Sequence, residues 1–217
     1  MQEYTSKVIS DPALLSVTNL SCIRDDRPLF SQLDFELRGG QVLLIEGPNG
    51  CGKTSLLRIL SGIRRQDSGQ VMWCQQEINK LGAEYREQLA YVGHHNGIKE
   101  LLTVRENLQV AQAMGRASGT SLDDALQQVG LLKRDDVMSQ GLSAGQRRRL
   151  ALARLLVTDC RLWVLDEPFT ALDKKGILMV GELMLQHIRQ RDGMVVMTSH
   201  HELDLPDGDI VRLNLAA

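Results

Sequence analysis

The hydrophobic pattern of the chain contains three short and almost unbroken apolar runs. They cover residues 42–45, 162–165 and 194–197. Runs of this length without polar alternation are typical of strands that are buried on both faces of a parallel sheet. Helical segments are expected between them, and strand–helix–strand connections of this kind are right-handed crossovers. The pattern therefore predicts an α/β protein with a mainly parallel core sheet.

Shorter strands are predicted outside this core. Residues 13–17 and 33–37 have strand character, with clean alternation in the second, and Arg24–Pro28 between them is turn material. Further strands are predicted over residues 70–74 and 89–93. A helix is expected from Glu84 to Leu89.

From about residue 95 to 145 the apolar residues recur at helical spacing instead. Thr103 with Glu106 forms a capping-box pattern, and Ser121 with Asp124 a weaker one. We interpret this stretch as a helical insertion within a single domain that spans residues 1–217. The next helix, Gln146–Leu156, begins with Arg147, Arg148 and Arg149. On a chain of net charge −2, three such arginines are expected to form a solvated face and not a nucleic-acid site.

A glycine-rich loop follows the first apolar run and precedes a helical segment. Residues 47–54 fit G-x-x-x-x-G-K-[ST] between strand and helix, as a phosphate-binding loop requires. Its glycines let backbone N–H groups surround polyphosphate, and the helix adds the positive end of its dipole. Lys53 would contact the β- and γ-phosphates, and Thr54 would bind Mg²⁺. The expected nucleotide-binding residues are Gly47, Pro48, Asn49, Gly50, Cys51, Gly52, Lys53, Thr54 and Ser55.

Cys51 allows two interpretations. A loop close to a helix N-terminus and to Lys53 lowers the pKa of a thiol, which favours a reactive cysteine. A small residue that fills space in a tight loop is the simpler interpretation. The other cysteines, at positions 22, 74 and 160, are widely scattered and indicate neither a zinc site nor a disulfide framework.

Polar side chains follow the other two buried runs. Asp166 is expected to reach Mg²⁺, and Glu167 to polarise an attacking water as general base. His200 could hold the γ-phosphate or that water in line. Each could instead merely cap the end of a strand. With the phosphate loop in the same chain, we expect catalysis by Glu167, His200 and Lys53.

Four ordered motifs resemble the ATP-binding cassette ATPases over nearly the whole chain. They are residues 47–54, Leu142–Gln146, Leu162–Glu167 and Ala171–Asp173, and His200 follows them. The resemblance implies an antiparallel N-terminal β part beside the parallel sheet, and ATP with Mg²⁺ as cofactors. It also implies a second copy of the chain in a head-to-tail ATP sandwich. Ser143 and Gly145 would then contact the γ-phosphate held by the partner copy, with Asp173 at the interface.

Two positions depart from that family. Arg24 stands where an aromatic residue usually stacks on adenine, and a guanidinium can also stack on a base. His94 stands where a glutamine usually reaches Mg²⁺ and the attacking water. It could bind metal or water, or it could be an ordinary loop residue.

Within the family, residues 27–31 and 93–99 are most similar to the ATPase subunits of cytochrome c maturation systems. This implies integral-membrane transporter partners of the CcmB and CcmC type, and a peripheral position on the cytoplasmic face of a bacterial inner membrane. The residues around Ile98, Leu101 and Leu102 would dock a membrane subunit or pack the insertion itself. We expect no direct haem binding by the paired histidines 94–95 and 200–201. The ATPase of another exporter and a soluble non-transport cassette protein remain alternatives.

The composition sets limits that agree with this interpretation. A chain of 217 residues can bury a substantial core, and its near-neutral charge gives no general attraction to nucleic acid. No apolar run approaches the roughly twenty residues of a membrane span. The polar residues 1–6 do not resemble a signal peptide.

Overall fold

The computed structural model describes residues 14–201 and 209–215. Residues 1–6 and Ala13, the expected start of the first strand, therefore lie outside the described residues. The strands are β1 (Leu14–Arg24), β2 (Arg27–Arg38), β3 (Val42–Glu46), β4 (Ser68–Trp73), β5 (Gln76–Glu77), β6 (Leu89–Val92), β7 (Leu162–Asp166), β8 (Met194–Thr198) and β9 (Ile210–Asn214). The helices are α1 (Lys53–Leu60), α2 (Ile78–Leu81), α3 (Ala83–Glu87), α4 (Val104–Met114), α5 (Leu122–Gln128), α6 (Ala144–Leu156) and α7 (Lys174–Gln190).

The main sheet has the order β6-β7-β8-β3-β9, and every neighbouring pair in it is parallel. All five residues of β7 and of β8 are buried, as expected for central strands between two layers. The α/β core predicted from the three apolar runs is therefore confirmed. The carboxyl ends of β7, β8 and β3 lie side by side at one edge of this sheet, where ligands bind in open α/β proteins.

A second sheet of order β2-β1-β4-β5 is antiparallel. Its first two strands are longer than the sequence predicted and are joined by a two-residue turn at Asp25 and Asp26. Both turn residues have positive φ, 50° and 58°, the conformation that matches the twist of a tight hairpin. This turn places Arg24, the last residue of β1, at the tip of the hairpin.

The segment predicted to be a helical insertion contains α4, α5 and two short 3₁₀ turns. The capping box of Thr103 and Glu106 is present, and Ser121 caps α5 through the Asp124 N–H. Helix α6 begins two residues before the predicted start, because Ser143 caps it and exchanges hydrogen bonds with Gln146.

The main sheet separates two apolar cores. Alternate residues of β3, such as Leu43 and Leu44, point to opposite faces and join different cores. One core packs the sheet against α4, α5, α6 and α7, and the other packs it against α1 and the antiparallel sheet. The catalytic candidates at the strand ends are thus supported by buried residues on both sides.

His187 of α7 is buried in the first of these cores. Its ring stacks on Trp163 of β7 with a centroid distance of 3.9 Å, and its Nε2 lies 3.2 Å from the carbonyl oxygen of Arg161. Gly193 passes so close to this ring that a side chain there would collide with it. Burial lowers the pKa of His187 from its ordinary value of 6.5 to about 4.

This depressed pKa predicts a measurable pH dependence of stability. The unfolded chain binds a proton at His187 below about pH 6.5 and the folded chain does not, so stability falls as pH falls from 6.5 towards 4. The full loss amounts to about 3 kcal/mol. We expect the thermal-unfolding midpoint of His187→Phe, which keeps a ring on Trp163, to change less between pH 7.5 and pH 5 than that of the parent. Parallel pH profiles for the two proteins would contradict the burial of a neutral imidazole here.

Candidate nucleotide-binding site

The phosphate loop connects β3 to α1 and has the geometry that the motif predicts. Gly50 and Gly52 have φ values of 86° and 107°, which residues other than glycine rarely adopt. A Cβ atom on Gly52 would also lie 3.0 Å from Leu29 and Phe30 of β2. The loop therefore packs closely on the antiparallel sheet and leads directly into the N-terminus of α1, whose dipole favours an anion.

Lys53, the first residue of α1, places its ammonium group over this loop. Its Nζ donates hydrogen bonds to the carbonyl oxygens of Gly47 at 2.6 Å and Pro48 at 3.1 Å. A positive charge is thus fixed where the phosphates of a nucleotide would enter.

Asp166 joins α1 to the ends of two strands. Its carboxylate accepts a hydrogen bond from the Thr54 hydroxyl of α1 and another from the Thr198 hydroxyl of β8, both at 2.9 Å. Its side chain is buried, since Asp166 is only 4% exposed. Thr54 and Asp166 together offer two neighbouring hard oxygen atoms, the ligands that Mg²⁺ prefers. The residues therefore fit this cation.

Glu167 follows Asp166 in a constrained conformation. Its φ is 50°, an uncommon value for a residue with a side chain, and its N–H donates to the Thr198 hydroxyl at 3.0 Å. One carboxylate oxygen of Glu167 lies 3.5 Å from Nε2 of His200. This distance suits a pair in which Glu167 is the general base and His200 orients it. The side chain of His200 is largely exposed.

The prediction that the three arginines form a solvated face is wrong for Arg148. Arg148 is only 3% exposed, and its guanidinium donates to the carbonyl oxygens of Asp166 and Glu167 at 2.7 and 2.8 Å. The physical reason is helical geometry, since position 148 shares a face with the buried residues Ala151 and Leu155. This spacing of three, then four, is the sequence signal that identifies the inward arginine.

Six of the nine predicted phosphate-loop residues line one cavity of about 310 Å³, whereas Gly47, Pro48 and Cys51 do not line it. Its walls are formed by Arg24, Leu29, Asn49, Gly50, Gly52, Lys53, Thr54, Ser55, His94, Asp166 and Glu167. Both family departures, Arg24 and His94, thus line the same cavity as the phosphate loop. The Cys51 side chain instead lies beside Gly47 and packs against the core that contains α1, so its packing favours the space-filling interpretation.

A second cavity of about 340 Å³ lies at the N-terminus of α6. It is lined by Gly130, Leu131, Ser143, Gly145, Gln146, Arg149, Ala171, Leu172 and Asp173. The predicted residues Ser143, Gly145 and Asp173 thus lie together, but away from the phosphate loop. A Cβ on Gly145 would lie 2.8 Å from the carbonyl oxygen of Ala171, so only glycine fits there without movement.

Arg149, predicted above to lie on a solvated face, also lines this second cavity. It forms an ion pair with Asp173 at 2.8 Å. The pKa of Asp173 is lowered, first by the Gly176 N–H that it caps and then by the Arg149 charge. An anionic carboxylate and an open helix N-terminus therefore share one cavity.

The loop, the lysine and the paired acids at the strand ends define a P-loop protein that binds nucleoside triphosphates. The ABC transporter family model matches residues 30–170. The chain belongs to the ABC transporter family of ATP-binding proteins and is an ATPase that binds ATP.

Relatives match the chain over almost its entire length. A cytochrome c biogenesis ATP-binding export protein, CcmA, from Methylococcus capsulatus is 50% identical, over 94% of this chain and 99% of the relative. The protein of the same name from Photobacterium profundum is 43% identical, over 93% and 99% respectively.

Solved structures have the same fold. An ABC transporter ATP-binding protein from Pyrococcus furiosus is 26% identical with a TM-score of 0.80, covering 94% of this chain and 98% of its own. The bacterial ABC transporter cassette MJ0796, solved as a dimer, is 20% identical with a TM-score of 0.80, covering 93% and 94%. The predicted ABC-type α/β fold is thereby confirmed.

Lys53→Ala removes the positive charge that lies over the phosphate loop. We expect MgATP affinity to fall by at least about 100-fold, or about 2.7 kcal/mol. Titration with a fluorescent ATP analogue measures the loss. Lys80→Ala, which removes an exposed lysine from α2, is the matched control and should bind like the parent. Equal affinities for all three proteins would remove Lys53 from the site.

Proposed function

We propose that this chain is the ATP-hydrolysing subunit of a membrane complex in c-type cytochrome biogenesis. The observation that carries the proposal is the single cavity that joins the phosphate loop to Asp166 and Glu167. The full-length similarity to CcmA proteins supports the biological assignment. The complex would export haem or use ATP to release a haem-loaded chaperone.

In the proposed reaction the loop N–H groups and Lys53 bind the phosphates of ATP. Thr54 and Asp166 would hold Mg²⁺, which would supply charge neutralisation at the phosphate oxygens, and His94 is a further candidate for contacting the metal or water. Glu167 accepts hydrogen bonds from the attacking water and polarises it. His200, within 3.5 Å of that carboxylate, orients the base and the γ-phosphate. Arg24, which also lines this cavity, stacks on the adenine ring of ATP.

The second cavity supports a paired arrangement of two copies. Ser143 and the Gly145 N–H stand at the N-terminus of α6, which favours an anion through its dipole. In a head-to-tail pair they would contact the γ-phosphate held by the partner, and Asp173 would lie at the interface. The cassette MJ0796, which has the same fold, was solved as a dimer, and this supports such pairing.

The proposed membrane partners are integral subunits of the CcmB and CcmC type, which would hold the chain at the cytoplasmic face of the inner membrane. Within the described residues, no helix is long and apolar enough to cross a membrane. A groove of about 510 Å³ runs between β6 and α4, with residues such as Tyr91, Val110 and Met114 in its walls. Met114 is 82% exposed and Leu101, two residues after the lining residue Lys99, is 75% exposed, whereas Ile98 packs against the core.

Glu167→Gln tests the biological assignment. The amide cannot act as a base, so we expect hydrolysis to fall by at least about 100-fold while ATP binding is retained. In cells, haem staining should show loss of holocytochromes c. Glu182→Gln, an exposed change on α7, is the control and should leave them normal. Normal holocytochromes c in the Glu167→Gln strain would contradict the biogenesis role and direct attention to another exporter.

Leu101→Cys tests the docking of a membrane partner. An exposed thiol at position 101 should react with maleimide in the isolated protein, and the assembled complex should slow this reaction by about tenfold or more, because buried thiols are shielded. Leu178→Cys, on the exposed face of α7, is the control and should react equally in both states. Unchanged labelling of Leu101→Cys would place the docking surface elsewhere.

A further inference from the structure

Arg148 uses its whole hydrogen-bonding capacity on two separate segments. A guanidinium has five N–H donors, and Arg148 makes five bonds of 2.7–3.1 Å. Each acceptor is a neutral oxygen. The acceptors are the carbonyls of Gly93, Asp166, Glu167 and Pro168 and the side-chain amide of Asn96.

Such burial is costly for a charged group. Desolvation lowers the pKa of Arg148, and the nearby charges of Asp166 and Glu167 oppose that shift. An apolar residue would satisfy a core position without this penalty. What the arginine adds is geometric: one rigid planar fork fixes the backbone of two segments that are far apart in sequence.

The first segment holds the candidate base. Glu167 has a φ of 50°, and its two backbone polar groups are both fixed, the N–H by Thr198 and the carbonyl by Arg148 at 2.8 Å and by the Thr170 N–H at 3.2 Å. The bond from Arg148 is the shorter and charge-assisted one at this carbonyl, and together the bonds hold the uncommon backbone conformation that directs the carboxylate towards His200.

The second segment carries another residue of the nucleotide cavity. Arg148 binds Gly93 and Asn96, which flank His94, and His94 lines the nucleotide cavity with Glu167. The same side chain therefore links the backbone segments of two residues that line the nucleotide cavity.

We propose that Arg148 is a positioning residue for ATP hydrolysis, which holds Glu167 and the loop that carries His94 in register with each other. The inference rests on the function proposed above. Arg148 contacts neither nucleotide nor water in this role and acts through Glu167.

Arg154 provides a matched control on the same helix. It is half-buried, and its guanidinium donates to the carbonyls of Asn96 and Gly97 at 3.2 and 3.0 Å. It thus contacts the loop that Arg148 contacts, but through bonds that do not include the segment with Glu167.

The test compares Arg148→Met, Arg148→Lys and Arg154→Met in single-turnover hydrolysis of labelled ATP, with affinity measured separately. For Arg148→Met we expect the rate to fall by at least about 30-fold and affinity to change by less than about threefold. Arg148→Lys should recover part of the rate, because an ammonium reaches one segment but does not span both. Arg154→Met should stay within about threefold of the parent.

A second comparison separates positioning from general loss of structure. In a Glu167→Gln background, Arg148→Met should cause no further loss, because residues that act through one another are not additive. A full 30-fold loss in that background, or an equal loss in Arg154→Met, would overturn the proposal. If Arg148→Met does not fold, Arg148→Lys takes its place in the same cycle.

The outcomes also distinguish this inference from the function on which it rests. Parent protein that hydrolyses ATP no faster than Lys53→Ala would refute the ATPase function itself. Normal parent turnover with an unimpaired Arg148→Met would refute the positioning role alone.

Discussion

The interaction on which the site depends is the pair of hydrogen bonds that Asp166 accepts. In the sheet, β8 lies between β7 and β3, so the end of β7 and the start of the phosphate loop are two strands apart, about 10 Å. The Thr54 and Thr198 hydroxyls bridge this distance by converging on one buried carboxylate. Such charge-assisted bonds are stronger than neutral ones, so they fix the phosphate-loop helix against the carboxyl edge of the sheet.

Thr198 extends this arrangement from the metal-binding candidate to the base. Its hydroxyl donates to Asp166 and accepts from the Glu167 N–H, which uses the donor and acceptor capacity of one buried group. The backbone of Glu167 is therefore fixed relative to the same carboxylate that meets Thr54. A site of this kind needs little reorganisation when nucleotide enters, which is the condition for effective electrostatic catalysis.

The sequence predicted those parts of the site whose chemistry is local. The strand–loop–helix around Lys53 and the acids after β7 are each encoded by adjacent residues, and the structure places them around one cavity. Apolar runs identified β7 and β8 because both faces of these strands are buried. Strand β9 was not predicted, since it alternates between half-buried and exposed positions at the edge of the sheet.

The interpretation of Arg148 was wrong because a run of three arginines was judged by composition alone. Neighbouring helical residues point about 100° apart, so three consecutive side chains cannot share one environment. In the structure Arg148 contacts the acids, while Arg149 pairs with Asp173 at the second cavity. Which arginine is buried depends on the face that α6 turns to the sheet, and that is a tertiary property.

Helix α6 connects the two cavities of one copy. Ser143 and Gly145 lie at its N-terminus, and Arg148 lies little more than one turn further along. Both positions stand on one continuous hydrogen-bonded helix, so a displacement of this helix along its axis would move the guanidinium that holds Glu167 as well. In the proposed pair of copies, the γ-phosphate of the partner's nucleotide would bind at that N-terminus. The nucleotide held by the partner copy would thereby act on Glu167 of this copy through a single helix.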